Sequence, residues 1–144
     1  MVVFYEEITM KTSELTGALL DYWVATAEGL EPYADKLPDG ATYHRYWLVD
    51  LPEEPAVIVG LIPEPPKGAV RYAPSSLWQQ GGPIIEREAI DIACTEPRLD
   101  PRYWLAQYND SAVIGETPLI AAMRAYVESK LGYEVPGIDL TRSP

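Results

Sequence analysis

The chain is poor in the residues that bind metals or form cross-links, with one histidine and one cysteine in 144 residues. A zinc-type centre needs three or four His, Cys or acidic ligands at helical or turn spacing. No such set can be drawn from this sequence, so neither a metal nor a cofactor is expected. The lone Cys94 rules out an internal disulfide and reads as a small buried hydrophobe in a reducing compartment. No apolar run approaches the roughly 18 residues of a membrane span. Residues 1–10 carry Glu6 and Glu7 where an export signal has a basic segment. Walker and Rossmann glycine loops are absent. Positive charge is scarce as well. Against 22 acidic residues stand 11 basic ones, a net charge of −11, which opposes any surface that tracks nucleic-acid phosphates. The expectation is a cytoplasmic protein with no membrane and no nucleic-acid partner.

What is present suits one folded unit, since a chain of this length buries a core without disulfide or metal. Thr12 or Ser13 can cap a helix whose apolar positions Leu15, Leu19, Tyr22 and Trp23 keep helical spacing as far as Glu28, with Gly29 as the left-handed stop. Gly17 inside that helix suggests close packing on a neighbour. Thr117 followed by Pro118 opens a second helix through Leu119, Ile120, Met123, Tyr126, Val127 and Leu131, ended by Gly132. Between them lie β-type runs at residues 43–49, 56–62, 70–73, 89–95 and 103–108. The prolines of residues 51–68 mark a protruding hairpin or long loop. Helix, strands, helix predicts an α+β domain: a small, mainly antiparallel sheet flanked by an N-terminal and a C-terminal helix. Residues 134–144 read as a frayed tail.

The stretch Ser75-Ser76-Leu77-Trp78-Gln79-Gln80-Gly81-Gly82-Pro83 stands apart. Ser76 and Gln79 have the spacing of a capping box, so an irregular helix is expected to start there, broken at Gly81-Gly82 and resumed at Pro83. Residues 86–88 fit either a helix or an extended segment. Two glycines remove two Cβ atoms and shape a notch. Tyr72 and Trp78 could stack a planar ligand, and Arg71 and Arg87 could meet an anionic group, with Ser75, Ser76 and the amides of Gly81 and Gly82 assisting. No catalytic residue is assigned: Ser75 and Ser76 have no base beside them in sequence. The lone His44 fits a half-exposed strand, and Glu86 and Glu88 read as solvated charges.

Three blocks in order, residues 10–25 around Leu19-Leu20-Asp21-Tyr22-Trp23, residues 72–88, and residues 117–127 around Thr117-Pro118-Leu119-Ile120, resemble the NinX-like family of small phage and prophage proteins. The resemblance implies a single domain over residues 10–135, with residues 1–9 an N-terminal extension and 136–144 a flexible tail. It also implies an accessory phage protein of the bacterial cytoplasm, and no particular reaction. The resemblance puts an acid directly before the motif tryptophan, where this chain has Leu77, so the motif lacks a carboxylate for acid–base work. Two non-catalytic functions follow. The leading one is a sponge for a small anionic, nucleotide-derived host ligand in counter-defence, held around residues 72–87 of a homo-oligomer. The alternative is an acidic interaction module that inhibits a host enzyme. A nucleotide-acting enzyme using Glu86 or Glu88 ranks third.

Overall fold

The computed structural model describes residues 9–30, 42–50, 55–61, 69–95 and 103–137, with side chains for 9–30, 72–95 and 103–137. In chain order the elements are β1 (Thr9–Lys11), a single 3-10 turn (Thr12–Glu14), α1 (Gly17–Ala27), β2 (Thr42–Asp50), β3 (Pro55–Leu61), β4 (Ala69–Tyr72) and α2 (Trp78–Glu88). There follow β5 (Asp91–Cys94), β6 (Trp104–Tyr108), β7 (Ser111–Gly115), α3 (Pro118–Leu131) and β8 (Glu134–Pro136). The class is α+β, and every strand pair is antiparallel. Among the described residues the strands form three small sheets instead of one: β1–β8, β3–β2–β4 and β5–β6–β7.

α3 is the centre of the molecule. Its residues 121–127 are buried without interruption, because β6 and β7 cover one side and α1 another. Ala121, Ala122 and Ala125 keep the helix thin enough for that, and Met123, Tyr126 and Val127 fill the gaps. Its start is as the sequence predicts: Pro118 is the first residue, and the Ile120 N–H donates to Thr117 Oγ1 at 3.1 Å. Arg124 is also buried, its Nε and Nη1 donating to the carbonyls of Leu15 (2.7 Å) and Ile114 (2.9 Å). One guanidinium thus ties α3 to the end of the 3-10 turn and to β7.

Three expectations are corrected. The first helix begins at Gly17, after the separate 3-10 turn. Gly17 has φ +59°, and a Cβ there would meet nothing within 4 Å, so it supplies a left-handed entry to the helix and not a close contact. Residues 134–136 are a strand, since β8 pairs with β1 and Thr12 Oγ1 donates to the Gly132 carbonyl at 2.6 Å. β7 was not expected, and it completes the sheet under α3. Of the stripe residues, Leu15, Met123 and Val127 are buried, while Leu19 and Ile120 pack partly buried against the core. In the proline-rich stretch, β3 pairs with β2; Pro55 opens this strand, a position that tolerates proline. Residues 51–54 and 62–68 lie outside the described residues.

Candidate functional site

The distinctive stretch joins β4 to α2 through a buried turn. Tyr72, Ala73, Pro74 and Ser75 are all buried, and a buried turn has backbone groups that must find partners. Side chains supply them. The Ala73 N–H donates to Gln80 Oε1 at 2.6 Å, and the Ser75 N–H donates to Asp21 Oδ1 of α1 at 2.9 Å. Asp21 is itself buried, so an aspartate inside the apolar stripe of α1 anchors the motif to that helix. Ser76 does not cap α2. Its hydroxyl donates back to the Ala73 carbonyl at 3.4 Å, and the N-cap is Leu77, which has no side chain able to accept a bond.

α2 then runs unbroken through Gly81-Gly82-Pro83, against the expected interruption. The clash that drives a residue before proline out of the helical region involves that residue's Cβ and its backbone N–H. Gly82 lacks the Cβ, which eases part of the restriction where the helix continues. Gly81 has a different task. A Cβ there would overlap the Pro74 carbonyl oxygen and lie 2.6 Å from Leu119 Cδ2, so α2 closes on the turn and on the first turn of α3 only with glycine at this position. At Gly82 a Cβ would meet only Trp78 Cε3, at 3.8 Å. Trp78, the first residue of α2, is 57% exposed.

At its far end α2 enters a polar network that joins four elements. Arg87 donates from Nη1 and Nη2 to the two oxygens of Glu28 (3.1 and 2.6 Å), from Nη2 to Tyr126 Oη (3.3 Å) and from Nε to Glu88 (3.2 Å). Tyr126 Oη donates to Glu28 at 2.7 Å, and Tyr108 Oη donates to Glu88 at 2.7 Å. Lys130 stands 3.6 Å from Glu88. The bond from Tyr108, and then that from Arg87, hold the Glu88 carboxyl below its ordinary range. A carboxyl so held is a weak base and no proton donor near neutrality. Burial, then the charges of Glu28 and Asp21, push the Tyr72 phenol well above its ordinary value. Burial and the bond to Glu28 do the same to Tyr126.

The expected site residues therefore divide. Tyr72, Ser75 and Gly81 are buried parts of the turn and its packing. Ser76 and Trp78 are exposed and Gly82 is half-buried beside Trp78. Arg87 is 51% exposed, but each of its three nitrogens already has an acceptor. Arg71 lies on β4 in register with Trp47, and its side chain is outside the described residues, as is that of His44 on β2. Ala89 ends α2 in the left-handed region, φ 54° and ψ 49°, with the bonds Ile90 N–H to Ile85 O and Ala89 N–H to Glu86 O. This is a Schellman stop built on alanine.

Beyond that stop lies an open cavity of about 410 Å³, lined among others by Glu88, Asp91, Gln107, Tyr108, Asp110 and Ala112. Sequence reading passed over it, because its residues come from α2, β5 and the β6–β7 hairpin. The Asn109-Asp110 pair between two short β-type runs was the available signal for that hairpin. Among the described residues no group of three or more His, Cys, Asp and Glu is placed to hold a metal ion, and no helix is long and apolar enough to cross a membrane.

No curated protein matches the chain significantly. The family model described as Bacteriophage P22, NinX matches residues 11–130, which takes in the 3-10 turn, both ends of the buried Gly81 contact and nearly all of α3, and the chain belongs to this phage family.

Proposed function

We propose that the chain is a phage accessory protein that acts by binding, as an acidic module that occupies a basic surface of a host protein. The observation that carries this reading is the state of Arg87. Of the two cations expected at the site it is the one whose side chain is described, and Glu28, Glu88 and Tyr126 take up all its nitrogens. An anionic ligand at this end of α2 would have to displace carboxylates that already hold the guanidinium. The net charge of −11 and the acid-lined cavity beside Glu88 favour a positively charged partner instead. Opposite charge steers association, so the partner's on-rate falls as salt rises. The test is affinity capture from host lysate by the full chain at low and at high ionic strength. A defined host protein retained at low salt and released at high salt supports the reading. Capture that is indifferent to salt, or no capture, goes against it.

A second reading keeps the small anionic ligand, and the exposure of Trp78 next to the open side of Gly82 favours it. It predicts that one member of a panel of cyclic and linear nucleotides raises the melting temperature as RT ln(1 + [L]/Kd), and that Trp78→Ala abolishes the rise. A flat response across the panel removes this reading.

A further inference from the structure

Antiparallel sheets with one face on a core carry polar residues on the other. The β5–β6–β7 sheet departs from that pattern. Ile92, Ala106, Val113 and Ser111 are on the side of α3, and the burial alternates residue by residue along β7. The register brings the outer residues into rows: Ala93 opposite Leu105 opposite Ile114, and Asp91 opposite Gln107 opposite Ala112. By alternation Tyr103 shares this face. Ile114 is 53% exposed and Tyr103 43%. The middle of the outer face is thus apolar, on a sheet whose strands contain no lysine or arginine.

Among the described residues its border is acidic. Asp91 stands in the second row, Asp110 in the hairpin turn and Glu116 just after β7. The cavity of about 410 Å³ shares Asp91, Gln107 and Ala112 with this face and adds Asp110; Glu88, also in its lining, is already held by Arg87 and Lys130, so Asp91 and Asp110 make the recess beside the apolar rows acidic. An apolar centre with a charged rim is the anatomy of a protein interface. The rim decides the partner. A second copy of this chain would bring the same acids against it, with −11 on each side.

We infer that the outer face of β5–β6–β7 is the docking surface for a basic protein partner, whose apolar residues cover Leu105 and Ile114 while a lysine or arginine enters the recess between Asp91 and Asp110. This rests on the reading of the chain as an acidic binding module and adds where the binding occurs. The first turn of α2, with Trp78, is outside the surface.

The experiment uses the full chain and, as probes, a short alternating lysine–leucine peptide and an all-lysine peptide, titrated by calorimetry at low salt. Ile114→Thr keeps a β-branched strand residue and removes the apolar anchor. Asp91→Asn with Asp110→Asn removes two rim charges. Glu14→Gln with Glu134→Gln removes two charges outside this sheet. The lysine–leucine peptide should bind more tightly than the all-lysine peptide. Its affinity should fall roughly fivefold or more in each of the first two variants and less than about twofold in the third. Equal losses in the two charge variants, or equal binding of the two peptides, overturn the surface while leaving an acidic module intact. No binding of either peptide goes against the acidic module itself. A dimer in sedimentation that Ile114→Thr dissociates assigns the face to a second copy and overturns the proposal.

Discussion

Replacing Gly81 by alanine puts the packing account at risk, because two effects of opposite sign meet there. At an exposed helix position, glycine to alanine stabilises by about 1 kcal/mol. At Gly81 the added Cβ would overlap the Pro74 carbonyl oxygen and press on Leu119 Cδ2 at 2.6 Å. The leucine can rotate, whereas the carbonyl belongs to a turn held by Gln80 and Asp21. Overpacking of this kind costs about 1–3 kcal/mol, and loosening the two turn bonds adds about 1 kcal/mol for each that is lost. Against the helix gain, the net is a destabilisation of about 2 kcal/mol. For a domain of this size that lowers the melting temperature by on the order of 8 °C. Urea unfolding followed by tryptophan fluorescence measures it, and a lower midpoint at unchanged slope is the expected form. A midpoint that rises would refute the reasoning and show that the turn yields to the added Cβ.

Other substitutions follow from the two ends of α2 and its network. Leu77→Asp gives the helix the acceptor its N-cap lacks and should stabilise by about 1 kcal/mol, read by the same unfolding assay. Ala89→Gly relieves a left-handed residue at the Schellman stop and should also stabilise, by up to about 1 kcal/mol. Glu88 has a folded pKa below its unfolded value, so its stabilising contribution is complete above the ordinary carboxylate range and is lost as pH falls through the lowered value. Glu88→Gln should therefore flatten the acid limb of stability against pH, leaving a smaller difference between the two proteins in acid than at neutrality.

Much of the frame was legible because it depends on local chemistry. Thr117-Pro118 and Gly132 bracket α3 through capping and proline geometry that a sequence displays, and β2 to β6 follow short β-type runs with boundaries shifted by a residue or two. The N-terminal strand pairing was hidden: β1 and β8 come from opposite ends of the chain, and three-residue strands carry no periodic signal. Asp21 and Arg124 were hidden for another reason. Each is a charged residue on a buried helical face whose partners are backbone groups distant in sequence, the Ser75 amide in one case and the Leu15 and Ile114 carbonyls in the other. In the candidate site, Gly81-Gly82-Pro83 lies inside a continuous helix where a break was expected. The missing Cβ of Gly82 eases part of the restriction that Pro83 imposes, and the contact that requires Gly81 lies partly on Leu119, in another element.

The most direct test of the account is to map the backbone amides of the isotope-labelled full chain by NMR while the lysine–leucine peptide is added. The shifts should concentrate on Ala93, Leu105, Gln107, Ala112 and Ile114 and in the Asn109-Asp110 turn, with Trp78, Gly81 and Gly82 unmoved. Shifts centred on Trp78 and Gly82, with the outer rows of β5–β6–β7 silent, would contradict it and return the binding surface to the start of α2.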